Sequence, residues 1–108
     1  MELRKFARYP SENLIDYTPL DHKGNMQPWE LSKTLDISLD GLQIETRSPL
    51  KNNTLLHMIM SLNDHLIHIE GVTIYCNRKE RKYVAGLSFQ KIPSPERRKL
   101  QSYLEELA

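Results

Sequence analysis

Two short groups of polar residues have the types and spacing needed to bind an anionic, hydrogen-bonding ligand. Asp36, Ser38 and Gly41 form the pattern Asp-x-Ser-x-x-Gly, and Arg4 and Arg8 form Arg-x-x-x-Arg earlier in the chain. Glycine lets another backbone or a ligand approach closely. In an extended segment the period of two places both arginines on one side. The first group offers a carboxylate and a hydroxyl beside an open backbone and so predicts a binding edge, although each group alone is also typical of a turn or of a solvated basic patch.

The element that must position the first group is a strand over residues 27–38. Trp29, Leu31, Leu35 and Ile37 are apolar, and the residues between them are polar. Strict alternation is the period of a half-buried strand. We therefore expect the apolar set to face the core and Asp36 and Ser38 to point out of it.

The rest of the chain predicts more short strands and one terminal helix. Alternating apolar residues bounded by turn residues predict strands over 13–20, 42–47, 55–62, 65–77 and 83–92, and the strand over 65–77 is expected to bend at Gly71. Ser94 can cap a helix whose first residue is Pro95. An apolar stripe recurs along that helix at helical spacing, at Leu100, Tyr103, Leu104 and Leu107.

These elements predict an all-β fold, a six-stranded antiparallel β-barrel with a C-terminal α-helix. Closing such a sheet into a small barrel removes exposed edges. We assign residues 13–108 to the barrel and helix. Residues 1–12, which carry Arg-x-x-x-Arg and lack apolar periodicity, are expected to form a flexible N-terminal arm.

The two spaced motifs, in this order, resemble those of the PilZ domain, a bacterial receptor module for cyclic di-GMP. The stretch 83–89, Tyr-Val-Ala-Gly-Leu-Ser-Phe, followed by Pro-Ser-Pro-Glu and a short helix, is similar to the ending of that family. The resemblance covers nearly the whole chain and implies a stand-alone member with the barrel-and-helix fold described above.

The resemblance assigns cyclic di-GMP binding to Arg4, Arg8, Asp36, Ser38 and Gly41. The chemistry agrees with it, because an arginine fork pairs with phosphate oxygens or with guanine O6 and N7, and its flat face stacks. A carboxylate can accept from the guanine N1–H and amino group. Ser38 would donate to or accept from the base or phosphate, and Gly41 would let the ring lie against the backbone.

Three further positions bear on the same site. Lys5 is an additional candidate for a phosphate contact, or is simply solvated. Tyr75 stands where the family often has an aromatic residue, so it either stacks on a base or is an ordinary strand tyrosine. Leu3 replaces an arginine that the family often carries, which favours one nucleotide per chain over two. We expect bound nucleotide to order the arm.

Composition excludes several other function classes. The 15 Lys and Arg residues nearly balance the 14 Asp and Glu residues, so no global field favours nucleic acid or a membrane surface. The single Cys76 has no partner for an internal disulfide, and we find no signal peptide and no apolar run long enough for membrane insertion. We expect a cytoplasmic protein.

No catalytic constellation or cofactor motif is present in the sequence, and we predict no enzymatic activity and no metal. His65 and His68 are three residues apart on a predicted strand and should face opposite sides. The leading hypothesis is a cyclic di-GMP receptor and adaptor that changes its surface on binding. It would thereby regulate an unidentified protein effector in motility, exopolysaccharide production or a related output. The alternative is a PilZ-like protein-interaction module that acts without nucleotide.

Overall fold

A computed structural model describes residues 6–108, which form a mostly β structure with seven strands and one helix. The predicted barrel and C-terminal helix are confirmed. The elements are β1 (Tyr9–Pro10), β2 (Leu14–Pro19), β3 (Glu30–Ile37), β4 (Gly41–Thr46), β5 (Leu55–Leu62), β6 (His65–Lys79), β7 (Lys82–Lys91) and α1 (Ser94–Leu107).

Six antiparallel strands close on themselves. The sheet order is β1-β3-β2-β5-β6-β7-β4, and an additional β3–β4 pairing completes the barrel. The short strand β1 pairs only with β3 and lies outside the closed ring. The predicted arm therefore includes residues that pair with the sheet, because Tyr9 and Pro10 lie opposite Ile37 and Asp36.

Fifteen buried apolar residues fill the barrel and join its helix to it. Their burial follows the alternation along β2, β4 and β5, where every second residue points inward. The cluster comprises Ile15, Tyr17, Ile37, Leu42, Ile44, Leu56, Met58, Met60, Leu62, Ile67, Ile69, Ala85, Leu87, Leu100 and Leu104.

The face that β3 presents to the core differs from the predicted one. Trp29 and Leu31 are 65% and 61% exposed, whereas Thr34 is fully buried. The cause is a β-bulge, because Thr34 lies opposite Ile44 while Asp36 lies opposite Gln43, which leaves one extra residue between them. An inserted residue reverses the inward and outward sides of a strand. The alternation prediction is therefore wrong before the bulge, and after the bulge it holds for Asp36 and Ile37 but not for Ser38.

Helix α1 contacts β6 and contributes Leu100 and Leu104 to the buried core. This confirms the centre of the predicted apolar stripe, although Leu107 is 37% exposed. The predicted cap is wrong. Ser94 is already the first helical residue, Pro93 occupies the cap position, and no side chain within residues 6–108 bonds to the first-turn amides.

A polar cluster ties the N-terminal segment to both β3 and α1. The buried Thr34 hydroxyl donates to the Ser11 carbonyl at 2.6 Å and accepts from the Asn13 amide at 2.9 Å. The Tyr103 hydroxyl accepts from Asn13 Nδ2 at 3.1 Å and also bonds to the Ser11 hydroxyl. Because buried polar groups must be paired, these contacts fix where the chain enters the barrel just after Arg8.

Candidate functional site

The centre of the candidate site is an ion pair between β3 and the segment that precedes β1. Arg8 Nη1 lies 3.4 Å from Asp36 Oδ1, and the two side chains are only 19% and 21% exposed. Pro10 lies directly opposite Asp36 in the ladder, so Arg8, two residues earlier, reaches it diagonally. The structure therefore brings one residue of each motif together.

The Arg8 guanidinium has an N–H donor that no described residue uses. Its Nε is buried, and no acceptor among residues 6–108 bonds to it. The contact that Arg8 does make is long for a hydrogen bond between charged groups. A buried donor without a partner is costly, and a ligand oxygen that reached it would relieve that cost.

Asp36 belongs to a cross-strand row on the outer face of the barrel. Asp36 lies opposite Gln43, Gln43 opposite Gly86, and Gly86 opposite Tyr75. Directly opposed residues share one face of a sheet. Gln43 lies between the buried Leu42 and Ile44, so the Gln43 side chain points outward. The β3 bulge thus places Asp36 on the predicted outer side.

A second bulge brings Tyr75 to this row. Thr73 lies opposite Leu87 but Tyr75 lies opposite Gly86, so Ile74 is the extra residue of β6. The Tyr75 ring covers Gly86, where an added Cβ would lie 2.1 Å from its Cε2 atom. Gln43 Nε2 donates to the Tyr75 hydroxyl. Gln43 was missed by sequence analysis, and its signal was its position two residues after Gly41, on the outward side of β4.

Ser38 does not face solvent as expected, because it is fully buried. Its hydroxyl donates to Asp40 Oδ1 and accepts from the Gly41 amide at 3.2 Å. Its own amide donates to the Gly41 carbonyl at 2.9 Å. These bonds hold the β3–β4 turn, and they occupy the hydroxyl that was expected to contact a ligand directly.

Gly41 allows a close approach between two strands. A Cβ there would lie 2.2 Å from the Leu87 carbonyl oxygen, which is far inside van der Waals contact. Its backbone conformation is ordinary, since Gly24 is the glycine with positive φ among the described residues. The expected close approach is therefore made by β7.

The remaining predicted site residues, Arg4 and Lys5, lie outside the described residues. Within residues 6–108, no helix is both long and apolar enough to cross a membrane. In the same range, no three His, Cys, Asp or Glu side chains are grouped as a metal site would require.

Comparison with known proteins identifies the same family as the motifs. A model of the PilZ domain matches residues 2–106. The PilZ domain of Escherichia coli YcgR, solved with cyclic di-GMP, aligns with a TM-score of 0.75 and 13% identity over 98% of this chain and 92% of that one. No curated protein matches the sequence.

Two longer proteins have the same fold. Bacillus subtilis MotI, an inhibitor of motility, aligns with a TM-score of 0.80 and 16% identity over 98% of this chain and 52% of that one. Klebsiella pneumoniae MrkH, solved as a cyclic di-GMP complex, aligns with a TM-score of 0.78 and 19% identity over 99% and 52%. The chain thus spans about half the length of each.

Proposed function

We propose that this chain, which belongs to the PilZ domain family, is a receptor for cyclic di-GMP. The observation that carries the proposal is the pairing of Arg8 with Asp36 on the outer face of the barrel, in the row that ends at Tyr75. YcgR and MrkH, which share the fold, were solved with this nucleotide. The chain would act as a receptor and adaptor rather than as an enzyme.

Arg8 and Asp36 offer complementary chemistry to one guanine. The arginine fork donates to O6 and N7, or to phosphate oxygens, and the carboxylate accepts from N1–H and the amino group. Neither side chain alone presents both donors and acceptors. We extend the clamp to Arg4 and assign a secondary phosphate contact to Lys5.

We assign Ser38 and Gly41 a positioning role. The turn that they form sets the end of β3, two residues beyond Asp36, and the fit of Gly41 against Leu87 holds β4 on β7. A direct contact between the Ser38 hydroxyl and the nucleotide would require its present bonds to break. Tyr75, held by Gln43, would supply a flat surface beside the row.

We further propose that nucleotide binding changes the surface seen by a protein effector. Binding would draw Arg8 away from its present partner, and the segment that carries it is linked to α1 through Ser11 and Tyr103. Motility or exopolysaccharide production would be the regulated output. The single Cys76, with no disulfide partner in the sequence, fits action in the reducing cytoplasm.

Calorimetric titration with cyclic di-GMP, compared with GTP and cyclic GMP, tests the proposal. We expect saturable binding of cyclic di-GMP alone. We also expect one nucleotide per chain, because Leu3 supplies neither the charge nor the planar donor for a second. Absence of binding with the fold intact would favour the alternative, a protein-interaction module that acts without nucleotide. Two nucleotides per chain would contradict the stoichiometry.

A further inference from the structure

Gln43 occupies the centre of the row that runs from Asp36 to Tyr75. It lies directly opposite Asp36 on β3 and directly opposite Gly86 on β7, and Tyr75 on β6 completes the row. The Gln43 side chain is half-buried on the outer face of the barrel. A ligand that contacted both Asp36 and Tyr75 would therefore pass over Gln43.

One end of the Gln43 carboxamide is held in position. Its Nε2 donates to the Tyr75 hydroxyl, and within residues 6–108 this is the one hydrogen bond that the Gln43 side chain makes. A carboxamide is planar and carries its nitrogen and its oxygen on opposite sides, so Oε1 faces away from the Tyr75 hydroxyl and toward the end of the row where Asp36 lies. An amide oxygen has two acceptor lone pairs. Oε1 is therefore an acceptor that is oriented before a ligand binds.

Asp36 and Gln43 thus present two acceptors from directly opposed positions. The Cβ atoms of such a pair are about 4.5–5.5 Å apart. Two oxygens that accept the two hydrogens of one planar amino group, each at about 2.9 Å and at about 120° to each other, are about 5 Å apart. A glutamate in place of Gln43 would set two carboxylates opposite each other, which is destabilising. The spacing and the residue types therefore suit one amino group between the two side chains.

We propose that Gln43 is a specificity-determining residue which, together with Asp36, recognises the exocyclic 2-amino group of guanine. Asp36 accepts from N1–H and from one hydrogen of the amino group, and Gln43 Oε1 accepts the other hydrogen. Adenine carries its amino group on C6 and hypoxanthine carries none, so neither base offers Oε1 a donor at this position. This inference deepens the proposed function and rests on it.

The test is a calorimetric titration with cyclic di-GMP and with cyclic di-IMP, the same dinucleotide with hypoxanthine in place of each guanine. Gln43→Met keeps the length of the side chain and removes the acceptor. We expect this variant to bind cyclic di-GMP roughly five- to tenfold more weakly than the wild type and to bind cyclic di-IMP equally well. The preference for guanine should therefore fall by the same factor. Gln90→Met, at an exposed glutamine on β7, is the matched control and should keep the wild-type preference.

A second variant separates recognition of the base from support of the tyrosine ring. Tyr75→Phe removes the hydroxyl that bonds to Gln43 but leaves the carboxamide in place, so the preference for guanine should be retained. If Tyr75→Phe lost this preference as fully as Gln43→Met, Gln43 would act only by holding Tyr75, and the proposal would be overturned. An equal loss of affinity for both nucleotides in Gln43→Met, with unchanged thermal unfolding, would overturn it as well.

The same titrations distinguish failure of this inference from failure of the proposed function. If the wild type bound cyclic di-GMP and Gln43→Met kept the full preference over cyclic di-IMP, the role of Gln43 would be refuted while the receptor function stood. If the wild type bound neither nucleotide, both the receptor function and the role of Gln43 would be refuted.

Discussion

Arg8 and Asp36 pair across the β1–β3 ladder, with Nη1 3.4 Å from Oδ1 and both side chains about four-fifths buried. Each is the charged partner of the other, so a ligand must offer both side chains something better than this long contact. A guanine can do so, because it presents acceptors to the arginine and donors to the carboxylate. The two side chains therefore hold each other in position before a ligand binds.

The first prediction concerns the arginine clamp. Because charge-assisted contacts are worth on the order of 1–3 kcal/mol each, Arg8→Ala or Arg4→Ala should weaken cyclic di-GMP binding by roughly ten- to a hundredfold. Calorimetric titration measures the change. Arg98→Ala, at an exposed helix position, is the matched control and should bind like the wild type. Wild-type affinity in both site variants, with the fold intact, would refute the assignment.

The second prediction separates two carboxylates. Asp36→Asn keeps the shape of the side chain but replaces one acceptor oxygen with a donor, so binding should fall by roughly ten- to a hundredfold. Asp40→Asn alters the turn at an exposed residue that bonds to Ser38 and should change affinity much less. Comparable losses in the two titrations would indicate disruption of the turn instead of base recognition.

The third prediction concerns the contact between Tyr75 and Gly86. Gly86→Ala places a methyl group 2.1 Å from the present ring position, and such overpacking costs about 1–3 kcal/mol. In a Tyr75→Ala background the methyl group has room, so the loss should be much smaller. Denaturant unfolding of the four proteins gives the coupling energy. If the losses of unfolding free energy were additive, contact with the Tyr75 ring would not be the cause of the Gly86→Ala destabilisation.

The fourth prediction concerns the link between the N-terminal segment and the helix. Tyr103→Phe removes the hydroxyl that bonds to Ser11 and Asn13, and it should cost about 1 kcal/mol of unfolding free energy. Hydrogen exchange should increase over residues 9–13, and nucleotide affinity should fall, because Arg8 is positioned less well. Tyr83→Phe, outside this cluster, is the control. Unchanged exchange would mean that the cluster does not hold the segment.

The fifth prediction is a pH dependence of stability. Burial, together with a 2.6 Å bond to Glu30, raises the pKa of Tyr17 above its usual value of 10.0. The folded protein then retains a proton that the unfolded chain releases, so Tyr17 should lower stability as the pH rises above 10.0. Unfolding free energies of wild type and Tyr17→Phe, compared at neutral and alkaline pH, measure this. If the difference in unfolding free energy between the two proteins did not change with pH, the prediction would be contradicted.

The sequence alone determined the strand count of the barrel, the terminal helix and the family. β5 was predicted with its observed ends at Leu55 and Leu62, because alternation and turn residues are local signals. The motifs placed Arg8 and Asp36 in one ligand site, but their direct pairing was not predicted, because Arg8 was assigned to a flexible arm. Gly41 was identified as a point of close approach, because a glycine has no side chain to prevent it and is recognised from the sequence alone.

Tertiary structure decided which way several of those residues face. Alternation placed Leu31 inside and Ser38 outside, but Leu31 is exposed and Ser38 is buried. The bulge between Thr34 and Asp36 depends on how β3 pairs with β4, and pairing between strands leaves no local trace in residue order. For the same reason the sequence did not identify Gln43, because this residue lies opposite Asp36 only when β3 and β4 pair in the observed register.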